Sequence, residues 1–420
     1  MANNLSSNIT RPLAKIFLEA FESSRVVTKT VNTQLLSGKF NPSTGTKVDF
    51  KRPHDYNSIR STGGDISAAA KSDIIAGKAT GTVQPYFTSA TEWSNIQEAL
   101  ELDQLDQILE PMARRLVTDL ELDLAKFMRI NTGLNYGARG TAVDAWSDVA
   151  GAGAMMDSVG VPMSDNKYYL MNPFTTTSLA SAQSGLNAAD GLVRTAFEKA
   201  QIASNFGGMK ALTSNALSSY TSGTTTDRLG DLKTAPDATY VTAKDTMQQT
   251  MVIETLGTGT IEAGDQIQIA GVNRLNIATR QLILDATGAA VPWTGTVLSV
   301  VTIAGNEATV VVSGAAIFEA NGQYNNVDAA PAAGAVVTIL GAAGAVYQPN
   351  LFYTEQAFGL GTVKLPKLYS TDTVATTSDG MSIRVSKYSD GDANTQKIRF
   401  DLLPAYACFN PNFAGQGYGV

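Results

Sequence analysis

The longest helical pattern in the chain lies between Leu109 and Asn131. Pro111 and Glu110 suit a first helical turn, and Gly133 follows the expected end. The pattern predicts a helix of about 21 residues, roughly 30 Å long. Oppositely charged pairs four residues apart, Glu110–Arg114 and Arg115–Asp119, would support it. The apolar residues recur at intervals of three and four, which places them on one helix face: Met112, Leu116, Leu120, Leu124, Phe127 and Met128.

Residues 1–40 contain a shorter helical patch that follows a polar tip. Such a patch is either a helix packed on its own domain or an arm that reaches a neighbouring molecule, and the pattern leaves both readings open. The apolar residues of the patch are again three and four apart: Pro12, Leu13, Ile16, Phe17, Ala20 and Phe21.

Two further regions read as helical. Residues 89–108 suggest a helix with Thr91 as N-cap, which Pro111 would separate from the long helix. Residues 143–162 fit a helix that Gly160 and Pro162 end, and residues 189–203 fit another. With short strands at 167–173 and 209–215, this part predicts an α+β lobe. The expected inward residues of the two helices are Trp93, Ile96, Leu100, Leu105 and Ile108 in the first, and Trp146, Val149, Ala150, Ala154 and Met156 in the second.

Alternation of apolar and polar residues marks the strands. In residues 45–53, Val48 and Phe50 alternate with charged residues, and a return strand follows in residues 74–87. The polar, glycine-containing stretch between them holds too few apolar residues for a domain. The two strands therefore predict a long extended hairpin.

Residues 222–345 consist of successive β-runs with Gly, Asn and Asp turns, and they predict a small β-barrel or sandwich inserted into the α+β lobe. The runs lie at 251–256, 265–272, 295–303, 308–314 and 335–340. Strands resume in residues 346–420, and the chain ends in a polar, glycine-rich tail whose aromatic residues could dock on something.

Composition adds a bias toward self-association. Only 16% of the 420 residues are charged, against about 25% in an average soluble protein. Such a chain either buries surface against copies of itself or is a β-protein rich in small residues. The net charge of −7 argues against a protein that coats nucleic acid. The length favours two or three lobes.

Charge is unevenly distributed near the hairpin. Residues 1–80 carry 11 Lys and Arg against 6 Asp and Glu, whereas residues 81–135 carry 4 against 9. Either the basic loop of one copy matches an acidic helical region of another, or the difference is chance variation of the surface. The candidate residues for contact between subunits are Lys47, Lys51, Arg52, Arg60, Asp103 and Asp106, with the apolar Phe17 and Phe21.

No residue pattern supports an active site. His54 is the single histidine and Cys408 the single cysteine, which disfavours histidine-based catalysis and zinc sites. The glycine-rich segments at 205–209 and 359–363 lack the features of phosphate-binding loops. We predict no catalytic, cofactor-binding or metal residues, and we interpret residues 390–394 as a turn. The sequence shows no signal peptide and no apolar run of about 20 residues, so we expect folding in the cytoplasm and no membrane contact.

The order of these elements resembles that of tailed-phage major capsid proteins with the Hong Kong 97-type fold. The matching stretches are GTKVDFKRP, LEPMARRLVTDLELDLAKFMRIN, the VDAW helix and FGGMKALTSN. The stretch TLGTGTIEAGDQIQIAGV is similar to the start of the inserted domain in coat proteins of P22-like short-tailed phages. VDAWSDVAG and the closing NPNFAGQGYGV are also similar to that family.

The resemblance implies an α+β Hong Kong 97-type fold with an inserted all-β domain. Its parts would be an N-terminal arm (1–40), an extended loop (41–88), a spine helix with peripheral domain (89–134), the first part of an axial domain (135–221), the insertion (222–345), and a return with the C-terminal tail (346–420).

The resemblance also implies a function. Copies would assemble as hexamers and pentamers into an icosahedral virion capsid around double-stranded DNA. A scaffolding protein and a portal would be partners, assembly would occur in the host cytoplasm, and no cofactor would be needed. A β-rich surface adhesin or carbohydrate-binding protein is the main alternative, and a carboxylate-dependent hydrolase is a third hypothesis.

Overall fold

A computed structural model describes residues 17–36, 40, 45–94, 105–184, 199, 202–369 and 372–420. The helix predicted at 189–203, together with Ile96 and Leu100, therefore lies largely outside the described residues. The chain divides into two compact units. The first unit comprises Met1–Asp49, Thr80–Ala125 and Phe358–Ala407, and the second comprises Phe50–Ala79, Lys126–Ala357 and Cys408–Val420.

Helices and strands are both abundant, which confirms the predicted α+β class. The helices are α1 (17–24), α2 (Leu105–Ile130), α3 (Trp146–Val159), α4 (Pro173–Ser184) and α5 (Tyr240–Ala243). Short 3-10 turns lie at Val27–Lys29, Thr62–Gly64 and Pro411–Phe413. The strands are β1 (Lys47–Lys51), β2 (Lys78–Val83), β3 (Phe87–Ser94), β4 (Leu134–Tyr136), β5 (Lys167–Met171), β6 (Asn205–Phe206), β7 (Met209–Thr213), β8 (Tyr220–Thr221), β9 (Leu229–Leu232), β10 (Gln248–Glu254), β11 (Thr260–Ile261), β12 (Gln266–Asn273), β13 (Pro292–Val297), β14 (Val301–Thr302), β15 (Ala308–Ser313), β16 (Val336–Ile339), β17 (Val346–Tyr347), β18 (Asn350–Thr354), β19 (Phe358–Thr362), β20 (Thr373–Thr376), β21 (Ser382–Asp390), β22 (Thr395–Leu402), β23 (Pro404–Cys408) and β24 (Ala414–Gly417).

The long helix α2 confirms the predicted apolar face but not the predicted start. It contains 26 residues and continues through Pro111 without a break. A proline inside a helix removes one hydrogen bond and costs about 3 kcal/mol, and burial of the apolar face compensates for it. Arg115 and Asp119 form the expected ion pair at 3.0 Å, and Arg114 pairs with Glu110. The buried positions of the predicted face are Leu116, Leu120, Leu124 and Met128.

The helix predicted around Thr91 and Trp93 is wrong at its start. Residues 87–94 form strand β3, which pairs in antiparallel register with β22, so that Trp93 lies opposite Gln396. The sequence FTSATEWS alternates along this stretch, and its pairing with a neighbouring strand overrides the helical spacing. Thr91 is consequently a strand residue and not an N-cap.

Two four-stranded sheets form the β-structure of the first unit. One has the strand order β20-β21-β22-β3, and the other has the order β1-β2-β23-β19. Phe400 and Ile398 from β22 are fully buried, as are Ile383 and Val385 from β21. Residues 390–394 form the turn between β21 and β22, where the Asp392 amide donates to Asp390 Oδ1 at 3.1 Å. The predicted turn at these residues is confirmed.

The second unit contains a six-stranded mixed sheet with the order β4-β24-β18-β5-β7-β6. Helix α3 packs against its apolar side through Val149 and Met156, as predicted, and Gly160 ends the helix with φ 103°. The inward placement of Trp146 and Ala154 is wrong. Trp146 is the first residue of the helix and is 58% exposed, and Ala154 is also exposed.

The C-terminal tail is an integral strand of this sheet. Strand β24 pairs with β18 on one side and with β4 on the other. Its glycines permit this close packing, because a Cβ on Gly415 would lie 2.1 Å from the ring of Phe352. The aromatic Tyr418 is buried. The tail therefore docks within its own unit.

A closed six-stranded barrel occupies residues 229–339 of the same unit. Its strand order is β10-β15-β13-β12-β16-β9, and every pairing is antiparallel. Trp293 and aliphatic side chains such as Ile267, Val310 and Val337 form its buried core. Residues 304–307 make a tight hairpin between two of the predicted β-runs, with reciprocal hydrogen bonds between Ala304 and Glu307. The sequence left a barrel and a sandwich open for the insert, and the structure shows a barrel.

Candidate assembly surfaces

The N-terminal segment 17–36 packs on its own unit. Phe17 and Phe21 are fully buried, and the Phe17 ring stacks on Phe400 with centroids 3.9 Å apart. The alternative of a helix packed on its own domain therefore describes residues 17–24. The prediction that Phe17 and Phe21 contact another subunit is corrected, because both rings are buried by their own chain. Residues 1–16 lie outside the described residues.

Two buried charges fasten this segment. Arg25 donates from NH1 to Asp379 Oδ1 at 3.0 Å and from Nε to Thr28 Oγ1 at 2.7 Å. Glu121 of α2 accepts hydrogen bonds from the amides of Val26 and Thr28, at 2.5 and 3.3 Å. Burial raises the pKa of the Glu121 carboxyl, while these hydrogen bonds oppose the rise. A buried charge is stable only with such partners, so both residues specify this docked position.

Leu35 fits into a notch that two glycines leave open. A Cβ on Gly361 would lie 2.4 Å from Leu35 Cβ, and a Cβ on Gly81 would lie 2.7 Å from Leu35 Cδ2. Asn32 beside it forms a parallel bridge with Gly359, in which the Asn32 amide donates to the Phe358 carbonyl at 2.9 Å. The segment thus adds backbone pairing to its apolar contacts.

The extended loop has a structured root and an exposed tip. At the root, the Arg52 amide donates to the Gly77 carbonyl at 2.9 Å. The Arg52 guanidinium donates to the carbonyls of Lys78, at 3.0 Å, and Phe409. Burial lowers the pKa of Arg52. Arg52 is therefore a structural residue of the loop root, and its contact with another subunit stays a prediction.

The other predicted basic residues are exposed. Lys47 and Lys51 project from β1, and Arg60 lies in the tip. Four large apolar side chains are also exposed in residues 56–74, which we call the loop tip. Their exposed fractions are 54% for Tyr56, 37% for Ile59, 41% for Ile66 and 78% for Ile74. A soluble monomer seldom leaves so many apolar side chains in one short loop without a partner.

The acidic residues of α2 that the structure describes are mostly paired or buried, so they do not form an exposed acidic surface for these basic residues. Asp103 lies outside the described residues, and of Asp106 only the helical backbone is described. Glu110 and Asp119 pair with arginines of their own helix, and Glu121 is buried. The exposed positions of the described helix include Arg114, Arg115, Thr118, Leu122 and Lys126.

Buried polar residues join the barrel to the six-stranded sheet within the second unit. Arg274, at the end of β12, is 1% exposed and donates to the carbonyls of Thr294, at 2.9 Å, and Gly133. Burial lowers the pKa of Arg274 to about 9. Asp265 is fully buried, lies 3.8 Å from Arg139, and accepts from Ser222 Oγ at 2.7 Å.

Sequence reasoning missed these anchoring residues. Glu121 lies within the predicted long helix, Asp265 is the first residue of a predicted β-run, and Arg274 lies two residues after the end of that run. One available signal was the single charged residue in QIQIAGVNRLNI, which directly follows a β-run. A charge in that position needs a specific partner if the strand is buried on both sides.

The described residues contain no group of three His, Cys, Asp or Glu side chains placed to hold a metal ion. His54 is exposed. Among the helices that the structure describes, none combines the length and the apolar character that crossing a bilayer requires.

Comparison with known proteins identifies the family. A family model described as "P22 coat protein - gene protein 5" matches residues 1–419. The chain is also 47% identical over 424 residues to the "Major capsid protein" of Acyrthosiphon pisum secondary endosymbiont phage 1, with 100% of both chains covered. The chain belongs to the P22 coat protein family. This membership confirms the resemblance seen in the sequence.

Solved structures from two phages are similar to this P22 coat protein family member. The capsid structure of the cyanophage P-SCSP1u matches with a TM-score of 0.45 and 13% identity, over 93% of this chain and 86% of that one. A structure from Mycobacterium phage Che8 matches with a TM-score of 0.46 and 12% identity, over 94% and 89%. The family assignment rests on the whole-chain model and the 47% identical relative.

A member of the P22 coat protein family is a structural protein of a phage capsid and not an enzyme. The hydrolase and adhesin hypotheses are therefore set aside. Coat proteins work as shells of many copies, so the predicted self-association follows from membership as well. The surfaces that matter are then those that one copy offers to another, and the loop tip is the leading candidate.

Proposed function

We propose that copies of this chain assemble, as hexamers and pentamers, into the icosahedral shell of a tailed phage. The shell encloses double-stranded DNA without reading its sequence. A scaffolding protein and a portal take part, and assembly occurs in the host cytoplasm. The observation that carries the proposal is the match of a coat protein family model to residues 1–419.

The proposal assigns the parts of the chain as a Hong Kong 97-type subunit. Residues 1–40 are the N-terminal arm, 41–88 the extended loop and 89–134 the spine helix with the peripheral domain. Residues 135–221 begin the axial domain, 222–345 are the insertion, and 346–420 complete the axial and peripheral parts. The closed barrel within the insertion and the exposed loop tip support this assignment.

The loop tip supports contact between copies on physical grounds. Burial of apolar surface is worth about 25 cal/mol for each Å². Tyr56, Ile59, Ile66 and Ile74 supply such surface, and a neighbouring copy would cover it. Because each subunit in a closed shell makes the same contacts repeatedly, modest individual contacts add up to a stable particle.

Electron microscopy of the expressed protein tests the function. We expect closed shells, with co-expression of the scaffolding protein where the coat alone forms only sheets or irregular shells. A matched chain without residues 56–74, joined by a short Gly-Ser linker, should remain folded but form no closed shells. A wild-type protein that stays monomeric at high concentration with scaffold present would contradict the proposal.

Charge reversal tests the predicted basic contacts separately. We propose that Lys47, Lys51 and Arg60 face acidic groups of a neighbouring copy, with Asp103 and Asp106 as candidates. Lys51→Glu combined with Arg60→Glu should slow assembly at low salt and have a smaller effect at high salt, because salt screens exposed charges. Lys51→Gln with Arg60→Gln should give an intermediate rate. Equal rates for all three proteins at low salt would remove the idea.

A further inference from the structure

The root of the extended loop rests on a shelf of the inserted barrel in the same unit. We define the shelf as residues 315–327 together with Tyr240 and Arg280. Four of its side chains contact the loop. Arg280 pairs with Asp55, and Gln323 Nε2 donates to the Asp73 carbonyl at 2.6 Å. Ile75 packs against the cluster that contains Tyr324 and Tyr240, and Gly77 lies next to the Tyr240 hydroxyl. The contacts involve both limbs of the loop.

Tyr324 binds both limbs through one hydroxyl group. The Asp55 amide donates to Tyr324 Oη at 3.3 Å, and the hydroxyl lies 3.5 Å from the Ile75 carbonyl, which it can donate to. Its ring stacks on Tyr240 with centroids 3.7 Å apart. The Tyr240 hydroxyl would lie 3.0 Å from a Cβ on Gly77, so the glycine lets the returning limb lie flat on the pair.

Arg280 connects the shelf to the loop. Its guanidinium donates to the carbonyls of Asn325, at 2.7 Å, and Gln323, and it pairs with the Asp55 carboxylate. Its backbone has φ 58°, a left-handed conformation that a non-glycine residue adopts at a cost. Strained positions of this kind persist where the surrounding contacts require them.

The shelf has hydrogen bonds of its own that do not involve the loop. Asn325 exchanges hydrogen bonds with Glu319, with both distances 2.8 Å. Asn326 accepts from the Ile317 amide at 2.7 Å and donates to the Ala315 carbonyl at 2.8 Å. Side chains that bond across a loop hold its backbone in one conformation, so the shelf is a preorganised surface.

The same segment of barrel also binds a helix end. Asn276 Nδ2 donates to the Ser158 carbonyl at 2.8 Å, and the Ile277 amide donates to the Val159 carbonyl at 2.8 Å. These are carbonyls of the last turn of α3, which the helix itself leaves unpaired. Four residues later, Arg280 reaches the loop. The barrel is thereby held against the α3 end and holds the loop root.

We propose that the inserted barrel is an intramolecular latch that fixes the direction in which the extended loop leaves its own subunit. The latch consists of Asp55, Asp73 and Ile75 on the loop with Arg280, Gln323 and Tyr324 on the shelf. It holds only the ends of the loop tip and leaves the apolar side chains of the tip exposed for another copy. The contact between loop and barrel stands on its own, and its consequence for shells rests on the proposed function.

Hydrogen exchange on the free subunit tests the latch without assembly. Peptides covering residues 53–58 and 72–77 should be protected in the wild-type monomer, while the tip between them exchanges rapidly. Tyr324→Phe keeps the ring stack but removes the hydroxyl, and Asp55→Asn removes the ion pair from the loop side. We expect each variant to speed exchange in both peptides about tenfold, with no change in peptides from β12 and β15.

Two further proteins make the test specific. The charge exchange Asp55→Arg with Arg280→Asp should restore part of the protection that Arg280→Asp alone loses. Lys233→Gln alters an exposed barrel ion pair with Glu307 that the loop does not touch, and it should leave both peptides unchanged. Wild-type peptides that exchange as fast as the tip, or variants that exchange like wild type, would overturn the latch.

Assembly kinetics then test the consequence. Tyr324→Phe and Asp55→Asn subunits should assemble at least threefold more slowly than wild type, because their loops sample more directions. Unchanged kinetics beside accelerated exchange would overturn the role in assembly while the contact itself stood. Wild-type protein that forms no shells would count against the proposed function and leave the exchange result intact.

Discussion

The N-terminal segment 17–36 and the loop tip 56–74 look alike in sequence and differ in the structure. Both are short stretches that carry a few apolar residues and lack a core of their own. In the first, Phe17, Phe21 and Leu35 are completely buried. In the second, Tyr56 and Ile74 are more than half exposed.

The difference lies in what each segment finds within its own unit. The N-terminal segment has a notch at Gly361, a carboxylate at Glu121 and a carboxylate at Asp379 that fit it. The loop tip is held only at its ends, where Asn57 donates to the Asn321 carbonyl and Gln323 donates to the Asp73 carbonyl, and its exposed apolar side chains have no such receptor among the described residues. A segment whose side chains find fitting contacts within its own subunit packs there, whereas a segment without such contacts is available to another copy.

The strongest test of this contrast removes apolar surface from the tip. Ile59→Ser with Ile74→Ser should change the free energy of unfolding of the monomer by no more than about 0.5 kcal/mol, since both residues are exposed. The same protein should fail to form closed shells under conditions where wild type assembles. Electron microscopy and sedimentation measure assembly, and urea denaturation measures stability. Assembly at the wild-type level would place the tip outside the interface.

The reverse result is expected when the notch of the N-terminal segment is filled. Gly361→Ala would place a methyl group 2.4 Å from Leu35 Cβ and 2.8 Å from its carbonyl oxygen. Overpacking against backbone should lower the free energy of unfolding by about 3 kcal/mol. Gly391→Ala in the same unit, where a Cβ has open space, is the matched control. Equal stability of the two variants would show that the segment is not held there.

The smallest expected effect concerns the buried carboxyl that holds the segment. Glu121→Gln keeps the oxygen that accepts from Val26 and Thr28 but removes the buried charge. Because burial raises the pKa of Glu121 above its ordinary value of 4.5, wild type loses stability as pH rises through the folded-state pKa. The variant should therefore exceed wild type by about 1 kcal/mol at neutral pH.

That advantage should disappear below the ordinary pKa of the carboxyl, where Glu121 is protonated both folded and unfolded. Urea denaturation of both proteins from pH 4 to pH 8 measures the difference. Glu121→Ala, which loses the acceptor, should be less stable than both at every pH. A glutamine variant less stable than wild type at neutral pH would mean that the charge itself is required.

Patterns with a long period or many repeats were predictable from the sequence. The face of α2, the β-runs of the barrel and the hairpin at 304–307 follow from apolar spacing and turn residues alone. Local contradictions were not predictable. Pro111 reads as a helix start, yet it lies inside α2, because the buried face extends beyond it. Residues 89–94 are predicted to be helical, yet they pair with β22 as a strand.

Side-chain roles at the surfaces were predictable only in part. Lys51 and Arg52 are adjacent and equally basic in sequence, but Lys51 is exposed while Arg52 binds the Lys78 and Phe409 carbonyls. Nothing local distinguishes them, since the Phe409 carbonyl lies more than 350 positions away in the chain. The shelf under the loop was equally hidden, although the 22 residues between β15 and β16 are long for a barrel connection.

The central claim is that the loop tip is exposed in a single subunit and buried by neighbouring copies in a shell. Hydrogen exchange of residues 59–71, the part of the loop tip between the two anchored peptides, tests it most directly when it is measured on monomers and on assembled particles of the same preparation. We predict rapid exchange in the monomer and strong protection in the particle, with residues 25–36 protected equally in both. Tip peptides that exchange as rapidly in the particle as in the monomer would contradict the account.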